Sequence, residues 1–139
     1  MTTLHEQLAT TLKLASQSVT TARSCVFAAL QNQGPQTMQQ LVSRCPSIDR
    51  ASVYRTIALF EQLGIVQRLQ TGWKYKLELS GAFHEHHHHA SCLVCGVTID
   101  LPENTALEHE LHKLAATYNF HVERHQLELQ GICQNCAAA

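Results

Sequence analysis

Apolar residues recur at helical spacing at Leu4, Leu8 and Leu12, and this pattern predicts a first helix. A second helix follows Thr20, whose hydroxyl suits an N-cap, and carries Val26, Phe27 and Leu30 before Gly34 stops it. Thr37-Met38-Gln39-Gln40 fits a capping box, in which each of Thr37 and Gln40 satisfies a backbone N–H of the other. Leu41 and Val42 then give a third helix its buried face, and Pro46, which has no N–H to donate, ends it. Asp49 predicts the cap of a fourth helix, with Val53, Ile57 and Phe60 in one stripe as far as Gly64 and with Arg50, Ser52, Tyr54 and Arg55 on the other face. Beyond Gly64 the period shortens to that of strands. IVQRL leads to a turn at Thr71-Gly72 and then to WKYKLEL, where Trp73, Tyr75, Leu77 and Leu79 alternate with Lys74, Lys76 and Glu78.

Four helices and a hairpin are the element order of a winged helix-turn-helix. After Ser80/Gly81 the pattern changes: residues 86–92 read as extended, Thr98-Ile99-Asp100-Leu101 as a strand, and Thr105 as the cap of a helix with Leu107, Leu111, Leu114 and Tyr118 on one face. FHVERHQLELQ reads as a final strand. The fold class expected is therefore α+β, with a winged-helix domain over residues 1–80 and an α/β dimerisation module over 81–139.

Charge separates the same two segments. Eight Lys/Arg against four Asp/Glu give residues 1–80 a formal charge of +4, and two against seven give residues 81–139 a charge of −5. A basic first half suits a polyanion, and a recognition helix presenting Arg55 and Tyr54 can enter a major groove. There Arg reads guanine edges, Tyr meets thymine methyls, and wing residues Lys74 and Lys76 touch phosphates. The alternative, a winged helix used for protein contacts with a solvated polar face, leaves the charge separation unexplained. No apolar run approaches the roughly 20 residues of a membrane span, and MTTLHEQLATTLKL lacks the apolar core of a signal peptide, so a cytoplasmic protein is expected.

In a reducing compartment six cysteines are metal ligands or free thiols. Cys25 and Cys45 stand in apolar helical contexts and read as small buried hydrophobes. Cys92/Cys95 and Cys133/Cys136 are two CxxC pairs that can close a tetrahedral thiolate site, for which zinc is the fitting ion; redox dithiols are the alternative. Such an ion would staple a domain too small for a large core. Nine of the ten histidines lie beyond residue 80, four of them consecutive in HEHHHHASCLVC. His84-Glu85-His86-His87-His88 matches the H-E-x-x-H pattern of zinc proteases, but that pattern needs a helix, and Gly81 and Cys92 leave little room for one. On an extended chain His86 and His88 point one way and His87 and His89 the other, so one strand can feed two sites. Glu108 and His125 are available as partners for one pair, Glu78 and Asp100 for the other.

With ASVYRTIALFEQLGIV in the first half, then HHHHASCLVCG and HQLELQGICQNC, the chain resembles the ferric uptake regulator superfamily of bacterial metal-sensing repressors over nearly its whole length, and most of all the zinc uptake regulators. The resemblance implies structural zinc at Cys92, Cys95, Cys133 and Cys136. It implies a sensing site from Glu78, His87, His89 and Asp100, and a further metal site from His86, His88, Glu108 and His125. It also implies DNA contacts by Tyr54 and Arg55 to bases and by Arg23 to the backbone, with Ser52 on the same face, and a homodimer on a palindromic operator. Pro35 stands where many members have a metal-binding histidine, Ser18 where a basic residue often precedes the first DNA-contacting helix, and His88 where iron sensors commonly have Asp. The function implied is a zinc-responsive repressor of metal-uptake genes, with Fe2+ or Mn2+ sensing and peroxide sensing as alternatives within the family. A metal storage or delivery protein is the alternative from another class, and the basic Arg55/Tyr54 face argues against it.

Overall fold

The computed structural model describes residues 1–71, 74–83 and 86–138, with the side chain of Thr71 excepted. Gly72 and Trp73 of the expected hairpin, and His84 and Glu85 of the protease-like motif, lie outside the described residues. The chain divides into two compact units, Met1–Glu85 and His86–Ala139. This division falls beyond the Ser80/Gly81 boundary because Phe83 packs edge-on against Phe27, ring centroids 5.4 Å apart, and so belongs to the first core.

In the first unit, helix α1 (Leu4–Leu14) starts at a capping box formed by Thr3 and Glu6. Helix α2 (Thr21–Leu30) starts at Thr20, whose hydroxyl accepts from the Arg23 N–H. It ends before Gly34: Gln31 leaves the helix and Asn32 takes the left-handed conformation at φ 55°, which an Asn side chain tolerates. Helix α3 (Met38–Arg44) has the capping box of Thr37 and Gln40. Each such cap is worth roughly 1 kcal/mol. Helix α4 (Arg50–Gln62) begins at Asp49 and closes on Gly64, at φ 72°. There the N–H groups of Ile65 and Gly64 reach back to the carbonyls of Phe60 and Glu61, the double closure that a glycine at this position permits.

Strands β1 (Val66–Thr71) and β2 (Lys74–Leu79) pair antiparallel, with Val66 opposite Leu79 and Gln67 opposite Glu78. Gln36 bridges to Leu77 through both backbone groups and donates its amide to the Ala29 carbonyl, tying the wing to the end of α2. Leu8, Leu12, Val26, Phe27, Leu41, Val53, Phe60, Ile65 and Leu77 form the core, with the Cys45 thiol buried among them and pushed up to about 12, first by that burial. Cys25 is half-buried against the same cluster.

The second unit is built differently. Strand β3 (His87–Cys92) lies between β4 (Thr98–Pro102), antiparallel to it, and β5 (Glu128–Gly131), parallel to it. Helix α5 (Thr105–Thr117) makes the crossover that a parallel pair requires. Its cap is Asn104, not Thr105, because the Asn104 side-chain oxygen accepts from the Leu107 N–H. The final strand covers only Glu128–Gly131, since β3 offers it partners only from His89 to Cys92. A short helix, α6 (Gln134–Ala137), follows Cys133. Among the described residues of this unit the buried positions are Cys92, His88, His89 and Ser91, and α5 buries none. Ile99, Leu107, Leu114, Tyr118, Phe120, Leu129 and Ile132 are exposed. A module with so little apolar core and so much apolar surface is held by something besides its own packing.

Candidate metal centres and nucleic-acid interface

The first centre joins the two ends of the second unit. Cys92 and Cys95 flank the turn that closes on Gly96, at φ 78°, while Cys133 and Cys136 sit where β5 passes into α6. The four sulfurs lie within 4.8 Å of one another, and Cys95 Sγ is 3.7 Å from Cys133 Sγ. Thiolates at about 2.3 Å from a tetrahedral zinc stand roughly 3.8 Å apart, so the donor set fits that ion. The backbone N–H groups of Cys133, Cys95 and Val94 all donate to Cys92 Sγ, and bring its thiol down to about 6. Cys136 is pushed up to about 12, first by its hydrogen bond with Cys133. A divalent ion at the centre of the cluster would let all four become thiolates.

The second centre forms between β3 and α5. His86 Nε2 and His88 Nε2 approach Glu108 Oε1 at 3.2 and 2.5 Å, and His125 Nε2 approaches Oε2 at 2.6 Å. The His125 nitrogen is buried and, despite that distance, is not aligned for any hydrogen bond. The ligand atoms of His86, His88, Glu108 and His125 lie within 4.8 Å of one another, a donor set that suits a divalent ion. The ring spacings agree: the centroids of His86, His88 and His125 stand 4.7, 4.8 and 5.3 Å apart. Imidazoles bound at about 2.0–2.1 Å to one tetrahedral ion place their centroids roughly 5 Å apart. Burial would raise the Glu108 carboxyl, but hydrogen bonds from His88 and His86 outweigh it and hold the group below its ordinary range. His112, one turn along α5 from Glu108, stands further off, with its ring 6.3 Å from that of His125.

On the opposite face of β3, the rings of His87 and His89 lie 4.6 Å apart. Asp100, paired with His89 across the strands, is 3.5 Å from the His89 nitrogen and 3.9 Å from that of His87. Glu78 belongs to the first unit, near the end of β2. The alternation of the wing breaks there: Leu77, Glu78 and Leu79 are all buried, and Gln67 Nε2 donates to Glu78 Oε1 at 2.5 Å.

The basic face of the first unit is organised around α4. Arg55 donates to Ser52 Oγ at 3.0 Å, and Ser52 donates to the Asp49 carboxylate at 2.6 Å, so the cap of the helix also orients the arginine. That bond and the backbone N–H of Ser52 hold the Asp49 carboxyl below its ordinary range. Arg50 donates to the Tyr54 hydroxyl and stands 5.2 Å from its ring centre. An open cleft of about 220 Å³ lies between the start of α2 and α4, lined by Thr20, Ala22, Arg23, Ser52, Arg55 and Thr56. Two guanidinium groups, hydroxyls and a helix N-terminus make a cleft for an anion such as a phosphate. Arg23 is steadied there by the Ser18 carbonyl and the Gln17 amide oxygen. Lys74 and Lys76 are on β2, exposed and half-buried respectively. Sequence reasoning missed Thr56 as a cleft residue, because its spacing reads as core. It missed Gln67 because only the strand register shows what lies opposite Glu78.

Comparison with known proteins gives a consistent answer. The family model described as "Ferric uptake regulator family" matches residues 15–130. The ferric uptake regulation protein of Bacillus subtilis (strain 168) is 34% identical over 96 residues, which span 67% of this chain but 63% of that protein's length. That of Vibrio cholerae (O395) is 33% identical over 129 residues, 88% of this chain and 84% of the other. The crystal structure of the V. cholerae ferric uptake regulator superposes with a TM-score of 0.73 at 32% identity, covering 91% of this chain and 99% of that one.

Proposed function

The chain belongs to the ferric uptake regulator family, and from that premise we propose that it is a zinc-responsive repressor of metal-uptake genes, working in the cytoplasm. As a member it is a metal-responsive, DNA-binding transcription regulator that acts as a homodimer, and it is not an enzyme. The apolar surface of the second unit, including Leu114, Tyr118 and Phe120, supports burial against a second copy. No helix among the described residues is long and apolar enough to cross a membrane.

The observation that supports zinc is His88, which belongs to the Glu108 centre and not to the sensing set, and it bears on the sensing ion only as the ion this protein is built to bind. Its imidazole makes the Glu108 centre three nitrogens and one carboxylate, a set that favours zinc and tetrahedral geometry over the harder, oxygen-preferring ions. The Cys92, Cys95, Cys133 and Cys136 site holds a structural zinc. The sensing ion is bound by His87, His89 and Asp100 of the second unit together with Glu78 of the first, so that metal fixes the angle between the two. Two recognition helices then stand at successive major grooves of a palindromic operator, about 34–36 Å apart. By linkage, operator DNA tightens metal binding by the same factor that metal tightens DNA. Arg55, Tyr54 and Ser52 meet bases; Arg23, Lys74 and Lys76 meet phosphates.

An iron- or manganese-responsive regulator is the second reading, favoured by the two carboxylates of the Glu78/Asp100 set and by relatives named for ferric uptake. Titrating Zn2+, Mn2+ and Fe2+ into protein that retains only its cysteine-bound zinc, and following binding to a palindromic AT-rich duplex at fixed salt, separates the two. The expected result is tight DNA binding at the lowest free concentration with zinc. Equal or better activation by Fe2+ or Mn2+ would favour the second reading, and no metal response at all would remove both.

A further inference from the structure

We propose that Gln67 is a positioning residue for Glu78, holding its carboxylate in one orientation for the sensing ion; the proposal rests on the reading of Glu78 as a ligand of that ion. Glu78 is 4% exposed, and a carboxylate so placed must be met by donors or by a cation. The residue directly opposite it in the antiparallel wing is Gln67, and the Gln67 amide donates to Oε1 at 2.5 Å. A carboxylate only accepts, so the amide nitrogen is the group that faces it.

The chemistry of the donor matters. A guanidinium or ammonium opposite Glu78 would neutralise the charge that an incoming cation needs, whereas an apolar residue would leave the carboxylate without that anchor. A primary amide orients without neutralising. The neighbouring cation on β1 is directed elsewhere: Arg68, on the opposite face of the strand, is bound to Glu61 at 2.8 Å and stacks over Tyr75 at 4.0 Å. On β1 the neutral amide thus lies on the Glu78 face and Arg68 on the other, while Lys76, two residues before Glu78 on β2, shares the Glu78 face.

The test uses the full-length dimer with its cysteine-bound zinc, cobalt(II) alone as the probe, and Gln67→Met, Gln67→Lys, Glu78→Ala and the Gln67→Met/Glu78→Ala pair. Cobalt at the Glu108 centre serves as an internal control, and melting of the cobalt-free proteins checks the fold. Gln67→Met is expected to weaken cobalt at the Glu78-dependent site by roughly 10- to 100-fold and to shift its visible absorption. Adding Gln67→Met to Glu78→Ala should then change nothing further. Gln67→Lys, which keeps a donor but brings a charge, should hold the melting temperature and still weaken cobalt. If Glu78→Ala weakens cobalt while Gln67→Met and Gln67→Lys bind like the parent, the role of Gln67 is overturned and the Glu78 ligand stands. An equal loss from Gln67→Met with and without Glu78 also overturns it, as a general effect on the wing. Parent-like binding by Glu78→Ala overturns the ligand reading itself.

Discussion

His88 and His89 are adjacent in the chain, are both nearly inaccessible, and face opposite sides of one strand. His88 meets Glu108 at 2.5 Å, while His89 lies 3.5 Å from Asp100. The period of two in an extended chain is enough to separate them. A helix through the same residues would set neighbours about 100° apart and bring His84 together with His88, as the protease-like reading requires. The strand assigned to His87–Cys92 excludes that arrangement for His88.

The separation of faces predicts separable losses. His88→Ala should remove one bound ion per protomer, that of the Glu108 centre, and leave the His89 site able to bind; His89→Ala should do the reverse. Metal stoichiometry by elemental analysis, after dialysis against a weak chelator, reads both. Loss of both ions from either single variant would show that the faces are not independent.

His88→Asp tests the source of metal preference. Exchanging an imidazole for a carboxylate changes the Glu108 centre from three nitrogens and one carboxylate to two of each, and should lower its preference for zinc over manganese by roughly 10-fold or more. Competition between the two ions, measured on the same protein, is the check. An unchanged ratio would mean that geometry and not donor type sets the choice.

The cysteine centre predicts a change in assembly. Cys133→Ser removes one of four thiolates and also alters the segment whose N–H donates to Cys92 Sγ. Structural zinc contributes its binding free energy to folding, about 10–16 kcal/mol in small zinc peptides at neutral pH. With Cys92 the one buried hydrophobic residue described in the second unit, this variant should lose zinc and dissociate to monomer. Zinc content and sedimentation velocity report the two effects together. A zinc-free variant that stayed dimeric would assign the dimer to apolar contacts alone.

How much of this was legible in the chain differs between the two units. The winged helix could be read almost to the residue, because its caps are local chemistry: Thr37 with Gln40, and Asp49 with Ser52. Gln31 and Asn32 end α2 ahead of Gly34, and that stop was hard to read because Asn is a weaker signal of backbone reversal than glycine. In the second unit the expected strand over 120–127 was absent, since a strand exists only where a neighbour pairs with it, and β3 is short. The apolar positions of α5 had helical spacing without burial in the chain itself. Periodicity shows which face is apolar but not which molecule covers it. The histidine faces were readable from alternation alone. Gln67 and the Thr56 cleft needed register and packing.

Acid should act on the recognition helix through Asp49. Its carboxyl is held below its ordinary value of 3.8, first by the hydrogen bond from the Ser52 hydroxyl. A folded-state value below the unfolded one means that the stabilisation is present above about pH 3.8 and is lost as the pH falls through the folded value. Asp49→Asn keeps a capping oxygen but cannot titrate, so its stability should fall less steeply on acidification from pH 5 to 3. Denaturant titrations of the full chain across that range compare the two slopes; parallel slopes would exclude Asp49 as a contributor.

The DNA face predicts two kinds of loss that salt can tell apart. In the proposed reading Arg55, oriented by Ser52 and Asp49, meets a base edge, so Arg55→Ala should weaken operator binding by about 1–3 kcal/mol and relax preference at one position in each half-site. Lys76 on the wing meets only phosphate in this reading. Lys76→Ala should therefore weaken operator and unrelated duplexes alike, and lower the slope of log affinity against log salt by about 1 for each phosphate no longer neutralised. Fluorescence anisotropy with both duplexes over a salt series, at saturating zinc, measures affinity, specificity and slope in one design. If Arg55→Ala instead lowered binding to all sequences equally, the arginine would belong with Arg23 on the phosphate side of the α2–α4 cleft, and base reading would fall to Tyr54 and Ser52.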